Sequence, residues 1–500
     1  MQHEANAAHD SAPECEYFDV VIVGAGISGI GSAWYMDRDC PDKSYVILEA
    51  QETFGGTWHT HRYPGVRSDS DLYTFGYSFR PWTEAPIATG ERIRAYLDAV
   101  IEENRLDRRI RYRHRVLTAD WDGERKRWSL TVRREDTGET LRFETGFLWM
   151  CQGYYRHEQG YTPDWPGMDS FEGRIVHPQT WPRDLDYSGK NVLVIGSGAT
   201  AATLVPAMGD KVAHITMLQR SPTFFNPGTN GDPLADQLRA LEVDEHWIHA
   251  IIRKKLLGEQ AERLRRAKEE PEAVARELIT AVKDNIGPGV DIATHFTPRY
   301  RPWQQRVAFI PDGDFFEPFR KGKASVVTDR IERFVPEGVK LESGRTLKAD
   351  IIVTATGFSL CVLGDIKFTI DGKTLDLADT VTYHGMMFTG VPNLVWVFGY
   401  FRSSWTLRVE LVAEFVCRLL NHMSATGKRM VTMRLPPGEQ AEPQLPWIDE
   451  ENFNPGYLMR DMHRMPKRLN RPQWQHTQDF FSERTRFPAI GFDDPAFDFR

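Results

Sequence analysis

A short apolar run ending in closely spaced glycines occurs twice in this chain, and that repeat restricts the folds open to it. Residues 18–23 read FDVVIV, an unbroken apolar run suited to a parallel strand buried on both faces. Gly24-Ala25-Gly26-Ile27-Ser28-Gly29 follows, then a helical stretch to Met36, then an apolar run from Ser44 to Leu48 that ends at Glu49. Here Gly24 permits a tight turn, Gly26 lets backbone approach a pyrophosphate, and Gly29 lets helix pack on strand. The helix N-terminus then faces the phosphates. Glu49, about 20 residues beyond the last glycine, stands where an acid accepts hydrogen bonds from a ribose.

The second unit begins at Asn191 to Ile195. It continues through Gly196-Ser197-Gly198-Ala199-Thr200-Ala201, with Ala201 in place of the third glycine. A helix to Met208 and a strand from Ile215 to Leu218 follow. The acid is missing here, and Gln219 and Arg220 stand at the strand end. A cation at that point suits a 2′-phosphate, so this unit reads as binding NADPH rather than NADH. Each unit then runs into short hairpin strands. These turn at Asp122-Gly123 and Asp136-Thr137-Gly138 in the first, and at Glu337-Gly338 and Ser343-Gly344 in the second. Each closes on an apolar strand that ends in glycine, Gly153 or Gly357; in the first unit Leu141 to Phe143 reads as the last hairpin strand and Phe147 to Met150 as the separate closing run. The fold class that follows is α/β, with two Rossmann-like dinucleotide-binding domains. Residues 226–294 change character, with apolar residues near helical spacing among many charges, and read as a helical insert.

The 500 residues carry a net charge of −8, which argues against nucleic acid as the main partner. The five cysteines are scattered without metal or redox spacing, which suits reduced thiols in a cytoplasmic protein. The N-terminal stretch has neither a basic start nor an apolar run and reads as a disordered leader. No apolar run of about 18 residues exists to span a membrane. No feature fixes an oligomeric state. His59 and His61 lack a third ligand at familiar spacing, and no metal site is expected.

Between the two glycine signatures lies FEGRIVHPQTWP, residues 171–182. Its Phe171, Gly173, His177, Trp181 and Pro182 match all five positions of a pattern that resembles the fingerprint of Baeyer–Villiger monooxygenases. These are a branch of the class B flavoprotein monooxygenases. A second stretch, Gly55-Gly56-Thr57-Trp58 followed by Tyr63-Pro64-Gly65 and Asp69, resembles the motif that lines the flavin in that family. A third, Pro302-Trp303-Gln304-Gln305-Arg306, is similar to the stretch that supplies the active-site arginine in the ethionamide-activating type. By that match Arg306 is the catalytic cation, with Arg301 and Arg299 as near rivals, and Asp69 is its orienting partner.

The resemblance implies FAD in the first unit, at Gly24, Gly26, Gly29, Glu49, Gly56, Thr57, Trp58, Tyr63 and Asp69. It implies NADP in the second, at Gly196, Ser197, Gly198, Ala199, Thr200 and Arg220. The expected organisation is a leader (1–17), the first part of the FAD domain (18–160) and a linker carrying the fingerprint (161–182). The NADP domain (183–225 and 295–385) then flanks the insert (226–294), and the rest of the FAD domain with a C-terminal wrap follows (386–500). Ser403 or Ser404 is positioned to cap a helix running to about Met423, with its N-terminus toward the flavin.

No side chain makes oxygen react with an organic molecule, so a cofactor must. The resemblance implies hydride transfer from NADPH to FAD and a C4a-peroxyflavin that attacks a ketone to give an ester or lactone. Thioethers are further candidate substrates. His177 and Trp181 are expected to report NADPH binding to the flavin site rather than to act in bond chemistry. Three alternatives stand beside this reading: an N- or S-oxidising flavin monooxygenase, a disulfide reductase, and a non-catalytic nucleotide-sensing flavoprotein. Trp181 speaks against the first, and the second needs a cysteine pair that this sequence lacks.

Overall fold

The computed structural model describes residues 15–500. Two parallel-strand cores organise it. In the first, the strand Cys15–Val23 pairs in parallel with Tyr45–Leu48 on one side and Thr140–Met150 on the other. Val20, Val21 and Ile22 are fully buried, as an apolar run without alternation requires. The expected leader therefore stops short of residue 17, because residues 15–17 already pair with residues 142–144. The rest of the leader lies outside the described residues.

Hairpin strands His114–Asp122 and Arg127–Arg134 extend this sheet antiparallel. Two runs expected as separate strands, Leu141 to Phe143 and Phe147 to Met150, form one strand. Its first half pairs with the hairpin and its second with Leu394–Trp396, in parallel. The chain thus returns from the far end of the sequence to complete the first sheet. Asn393 fixes that return by donating from Nδ2 to the Gly146 carbonyl at 2.7 Å.

The second core is an all-parallel sheet in the order Ala324–Thr328, His214–Gln219, Asn191–Ile195, Ile351–Thr354, Arg174–Val176. Its edge strand comes from within the fingerprint stretch. Residues 161–182 are therefore more than a linker: Ile175 and Val176 supply the apolar run that pairs with Ile352 and Val353. Phe171 packs beside Leu193, Ile195 and Phe334 in the core of the same unit. A Cβ on Gly173 would lie 2.4 Å from the Asp350 carbonyl oxygen, so the strand approaches only because that residue is glycine.

The insert forms helices Pro233–Ala240, Glu245–Glu269 and Pro271–Ile286, with Asp232 and Asp244 capping the first two. Arg253 in the long helix is held by the carbonyls of Tyr73 and Gly76 and by Glu410. The insert is thereby tied to the first unit. Helix Trp405–Ala425 packs on helix Ile27–Asp39 and is buried along most of its length. No described helix is long and apolar enough to cross a membrane.

The C-terminal stretch is held through one fully buried ion pair, Arg408 with Glu483. Glu483 also accepts from Tyr400 (2.5 Å) and Thr477 (2.6 Å). Removing one member of such a pair strands the other charge in a dry site. Arg408→Met is expected to destabilise the fold by about 3–5 kcal/mol, measured as a lower denaturation midpoint. A loss below about 1 kcal/mol, typical of an exposed pair, would contradict this account.

Candidate functional site

The carboxyl ends of both parallel sheets open onto one cavity of about 720 Å³. Its walls include Gly24, Gly26 and Glu49 from the first unit and Gly198, Ala199 and Thr200 from the second. Ligands of doubly wound sheets bind at this edge.

The first glycine turn is shaped for a phosphate. Gly24 has φ +103° and lies against the Cys151 carbonyl, where a Cβ would be 2.9 Å away. A Cβ on Gly29 would sit 1.9 Å from the Gly24 carbonyl oxygen. On Gly26 it would meet nothing closer than Gly56 at 3.8 Å, so the omitted side chain leaves space for a ligand on the cavity side. Glu49 is buried and accepts N–H bonds from Ala25 (2.7 Å) and Gln51 (2.8 Å). Burial raises its pKa, and those two N–H bonds work against the rise. Gly56 (φ +51°) opens the short helix Thr57–Thr60 against this turn, and Thr57 Oγ1 accepts from Tyr155 at 2.7 Å. Trp58 stands edge-on to Phe75.

The second turn repeats the logic. Gly196 (φ +129°) would put a Cβ 2.3 Å from the Ala355 carbonyl oxygen, and a Cβ on Gly198 would meet nothing within 4 Å. Ser197 pairs with Thr223 through their hydroxyls at 2.8 Å. Ala201 is fully buried where the third glycine would stand. Arg220 is exposed at the strand end and has no ion pair within 4.0 Å among the described residues. The residues present thus fit two dinucleotides.

Arg306 and Asp69 meet in the cavity, Nη1 to Oδ2 at 2.8 Å. Their accessible surface lines the cavity wall. Burial disfavours the arginine's charge, but Asp69, Tyr457 and Tyr154 outweigh it, and its pKa is raised. The turn that projects Arg306 holds Trp303 at φ +65°, an uncommon conformation for a bulky residue. Asn454 N–H bonds the Gln304 carbonyl (3.0 Å) and Gln305 bonds Asn454 Oδ1 (3.3 Å), fastening the turn to the C-terminal stretch. Of the rival arginines, Arg301 turns to Asn452, and Arg299 does not line the cavity.

Some residues expected to touch a cofactor do not line the cavity, namely Gly29, Gly196, Ser197 and Arg220. Tyr63, read as a flavin residue, borders the cavity but is buried in the core of the second unit. The reason is Gly65, whose Cβ would lie 2.5 Å from Ala207, so this loop packs on helix Ala199–Gly209. Phe171, Gly173, His177, Trp181 and Pro182 do not line the cavity. His177 fills the space that Gly160 leaves, and its Nδ1 accepts from Gln179 N–H at 3.1 Å. Trp181 packs edge-on to Tyr187.

Sequence reading missed Tyr154, Tyr457 and the stacked pair Tyr155–Phe358 (centroids 4.4 Å). Tyr155 and Phe358 follow the strand-ending glycines of the two units, a position that could have flagged them. Tyr457 comes from the irregular C-terminal stretch and carries no such signal.

Two glycine turns, each shaped for a dinucleotide, thus border one cavity. Residues 22–98 match the family described as NAD(P)-binding Rossmann-like domain. The chain is 46% identical over 468 residues to the FAD-containing monooxygenase EthA of Mycolicibacterium smegmatis, covering 93% of this chain and 94% of that one. It is 41% identical over 487 residues to a probable FAD-binding monooxygenase, AlmA, of Acinetobacter baylyi (97% and 96% covered). It superposes on a steroid monooxygenase bound to NADP with a TM-score of 0.75 at 22% identity (97% and 99% covered). A cyclohexanone monooxygenase gives 0.74 at 19% (97% and 100% covered). The chain belongs to the FAD-containing monooxygenases.

Burial lowers the pKa of His61 to about 3 and that of His157 to about 4, with neighbouring histidines adding to the effect and Glu158 opposing it at His157. Both line the cavity. In the unfolded chain they titrate near 6.5, so on acidification the unfolded state takes up protons first. Stability should fall as pH drops from about 6.5 towards about 3, the His157 share levelling near pH 4 and the His61 share near pH 3, once each protonates in the folded state. His157→Asn should reduce that slope in thermal unfolding followed by flavin fluorescence. An unchanged slope would assign the acid sensitivity elsewhere.

Proposed function

We propose that this protein is an NADPH-dependent Baeyer–Villiger monooxygenase. It inserts one oxygen atom of O2 beside a ketone carbonyl to give an ester or lactone, the other leaving as water. The observation that carries this reading is the Arg306–Asp69 pair inside a cavity bordered by both glycine turns. Bound FAD, reduced by NADPH, supplies the oxygen activation that no side chain provides. We assign 18–160 and 386–500 to the FAD side, and 183–225 and 295–385 to the NADP side.

Arg306 holds a fixed positive charge where negative charge develops on the carbonyl oxygen as oxygen adds to its carbon. Such a preorganised donor costs no reorganisation at the moment of reaction. Asp69 orients the guanidinium without taking its proton. Tyr154 and Tyr457 wall the pair and help keep water out, which strengthens the charge interaction. Gly198, Ala199 and Thr200 hold the NADP pyrophosphate, and Arg220 holds the 2′-phosphate. His177 acts as a positioning residue behind the cavity wall. The same cavity accepts thioethers, whose oxidation builds no carbonyl oxyanion. The free cysteines suit a cytoplasmic protein.

Arg306→Ala should keep flavin reduction by NADPH and cut ester formation by ~10²–10³, followed by anaerobic bleaching of the flavin and by product analysis with a ketone. Ester formed at the wild-type rate would remove Arg306 from the mechanism. Arg220→Ala should lose one charge-assisted contact of ~1.5–3 kcal/mol. That is roughly ten- to over a hundredfold in NADPH affinity, with NADH little affected. Equal loss for both nucleotides would refute the 2′-phosphate assignment.

A further inference from the structure

Two guanidiniums beside the Arg306 turn converge on Asn452, and Arg301 also reaches the Glu451 carbonyl at 3.4 Å. Arg301 Nη2 donates to the carbonyl oxygen and Oδ1 of Asn452, both at 3.1 Å, and Arg402 Nη2 donates to the same two oxygens. No carboxylate lies within 4.0 Å of either guanidinium among the described residues. All their protein bonds use Nη2. Arg402 Nε is buried without a partner, as is the hydroxyl of the neighbouring Ser403. Ser403 is 4% exposed and lines the cavity, as do Phe401 and Gln305.

Such an arrangement is unfavourable without a ligand. Two like charges held against the same two oxygens of Asn452 repel, and burial together with Arg301 depresses the Arg402 pKa to about 10. Buried donors left without partners each cost free energy. An anion accepting from both guanidiniums and from Ser403 would relieve all of this. Planar guanidiniums suit a carboxylate or phosphate, which they bind with paired N–H bonds.

We infer that Arg301, Arg402 and Ser403 form an anion subsite that takes the carboxylate of a substrate whose ketone reaches Arg306. This rests on the proposed oxygen insertion and names its substrate class as oxo-carboxylic acids. The segment before Arg306 and the residues flanking Arg402 then set which ketones are preferred. An anion from NADPH is the other source of the same chemistry, and the experiment separates the two.

The test uses the oxidised holoenzyme, an oxooctanoate bearing its ketone next to the terminal methyl, and the methyl ester of that acid. Dissociation constants come from the change in flavin absorbance, so no turnover is needed. The acid should bind roughly ten- to a hundredfold more tightly than its ester. In Arg402→Met and in Arg301→Met that ratio should collapse towards one, whatever either variant does to overall stability. A wild-type ratio near one, or a ratio unchanged in both variants, overturns the subsite. So does weakened NADP+ binding in Arg402→Met with the acid-to-ester ratio intact, which gives the arginines to the nucleotide. Product analysis with the acid is read separately: binding selectivity without an ester product would reject the oxygen insertion and leave the subsite standing.

Discussion

The contact between Arg306 and Asp69 joins side chains from opposite halves of the molecule. Asp69 follows the flavin-side glycine stretch, and Arg306 ends a turn that leads into the strand Ala308–Pro311. The pair forms only if the units dock. Docking in turn rests on Gly65 lying against helix Ala199–Gly209 and on the Arg67–Asp314 ion pair, with Nη2 to Oδ1 at 3.0 Å. The Arg306 side chain is 42% exposed, open to the cavity, and Asp69 from the other unit fixes its orientation there. The Arg306 cation therefore depends on interdomain packing that no single motif encodes.

The parts of the fold governed by local chemistry were legible. An apolar run without alternation, a glycine that must adopt positive φ and an acid or cation at the next strand end are written in adjacent residues. Both dinucleotide units were read from them. The Asp69–Arg306 contact was legible only through resemblance, because nothing in the spacing of two distant residues says that they touch. What escaped was set by tertiary packing. Leu141 to Met150 read as two strands because their partners change midway, and the pairing of Thr140–Met150 with Leu394–Trp396 has no local signal. Tyr63 sits inside a flavin motif by sequence and borders the cavity, while the close approach allowed by Gly65 also packs it in the other core.

The fingerprint lies between the two glycine turns without lining the cavity they border. Phe171 fills the core beneath the second sheet and Gly173 lets the edge strand reach Asp350. His177 lies against Gly160 and beside the backbone of Tyr161 and Gly357. Gly357 borders the cavity. A shift of the second sheet would move its edge strand and the backbone behind His177 together. The imidazole thus sits as a packed spacer between two backbone segments, one of which borders the cavity. Its buried Nε2 has no side-chain partner.

The C-terminal stretch looked irregular in sequence, yet much of the chemistry is fastened to it. Residues 451–454 hold the Arg301–Gln305 turn, and Tyr457 stands beside Arg306. The stretch itself is anchored by Glu483 to Arg408, in the first turn of the buried helix that begins at Trp405. Arg402 and Ser403 immediately precede that helix. That helix thus anchors Ser403, which lines the cavity, and Arg402 beside it. The glycine turns fix where the nucleotides lie, since backbone must approach phosphate closely there. The cavity walls away from those turns, Tyr154, Phe401, Ser403 and Tyr457 among them, come from turns and C-terminal segments under no such constraint, so their side chains can change without disturbing the dinucleotide fold.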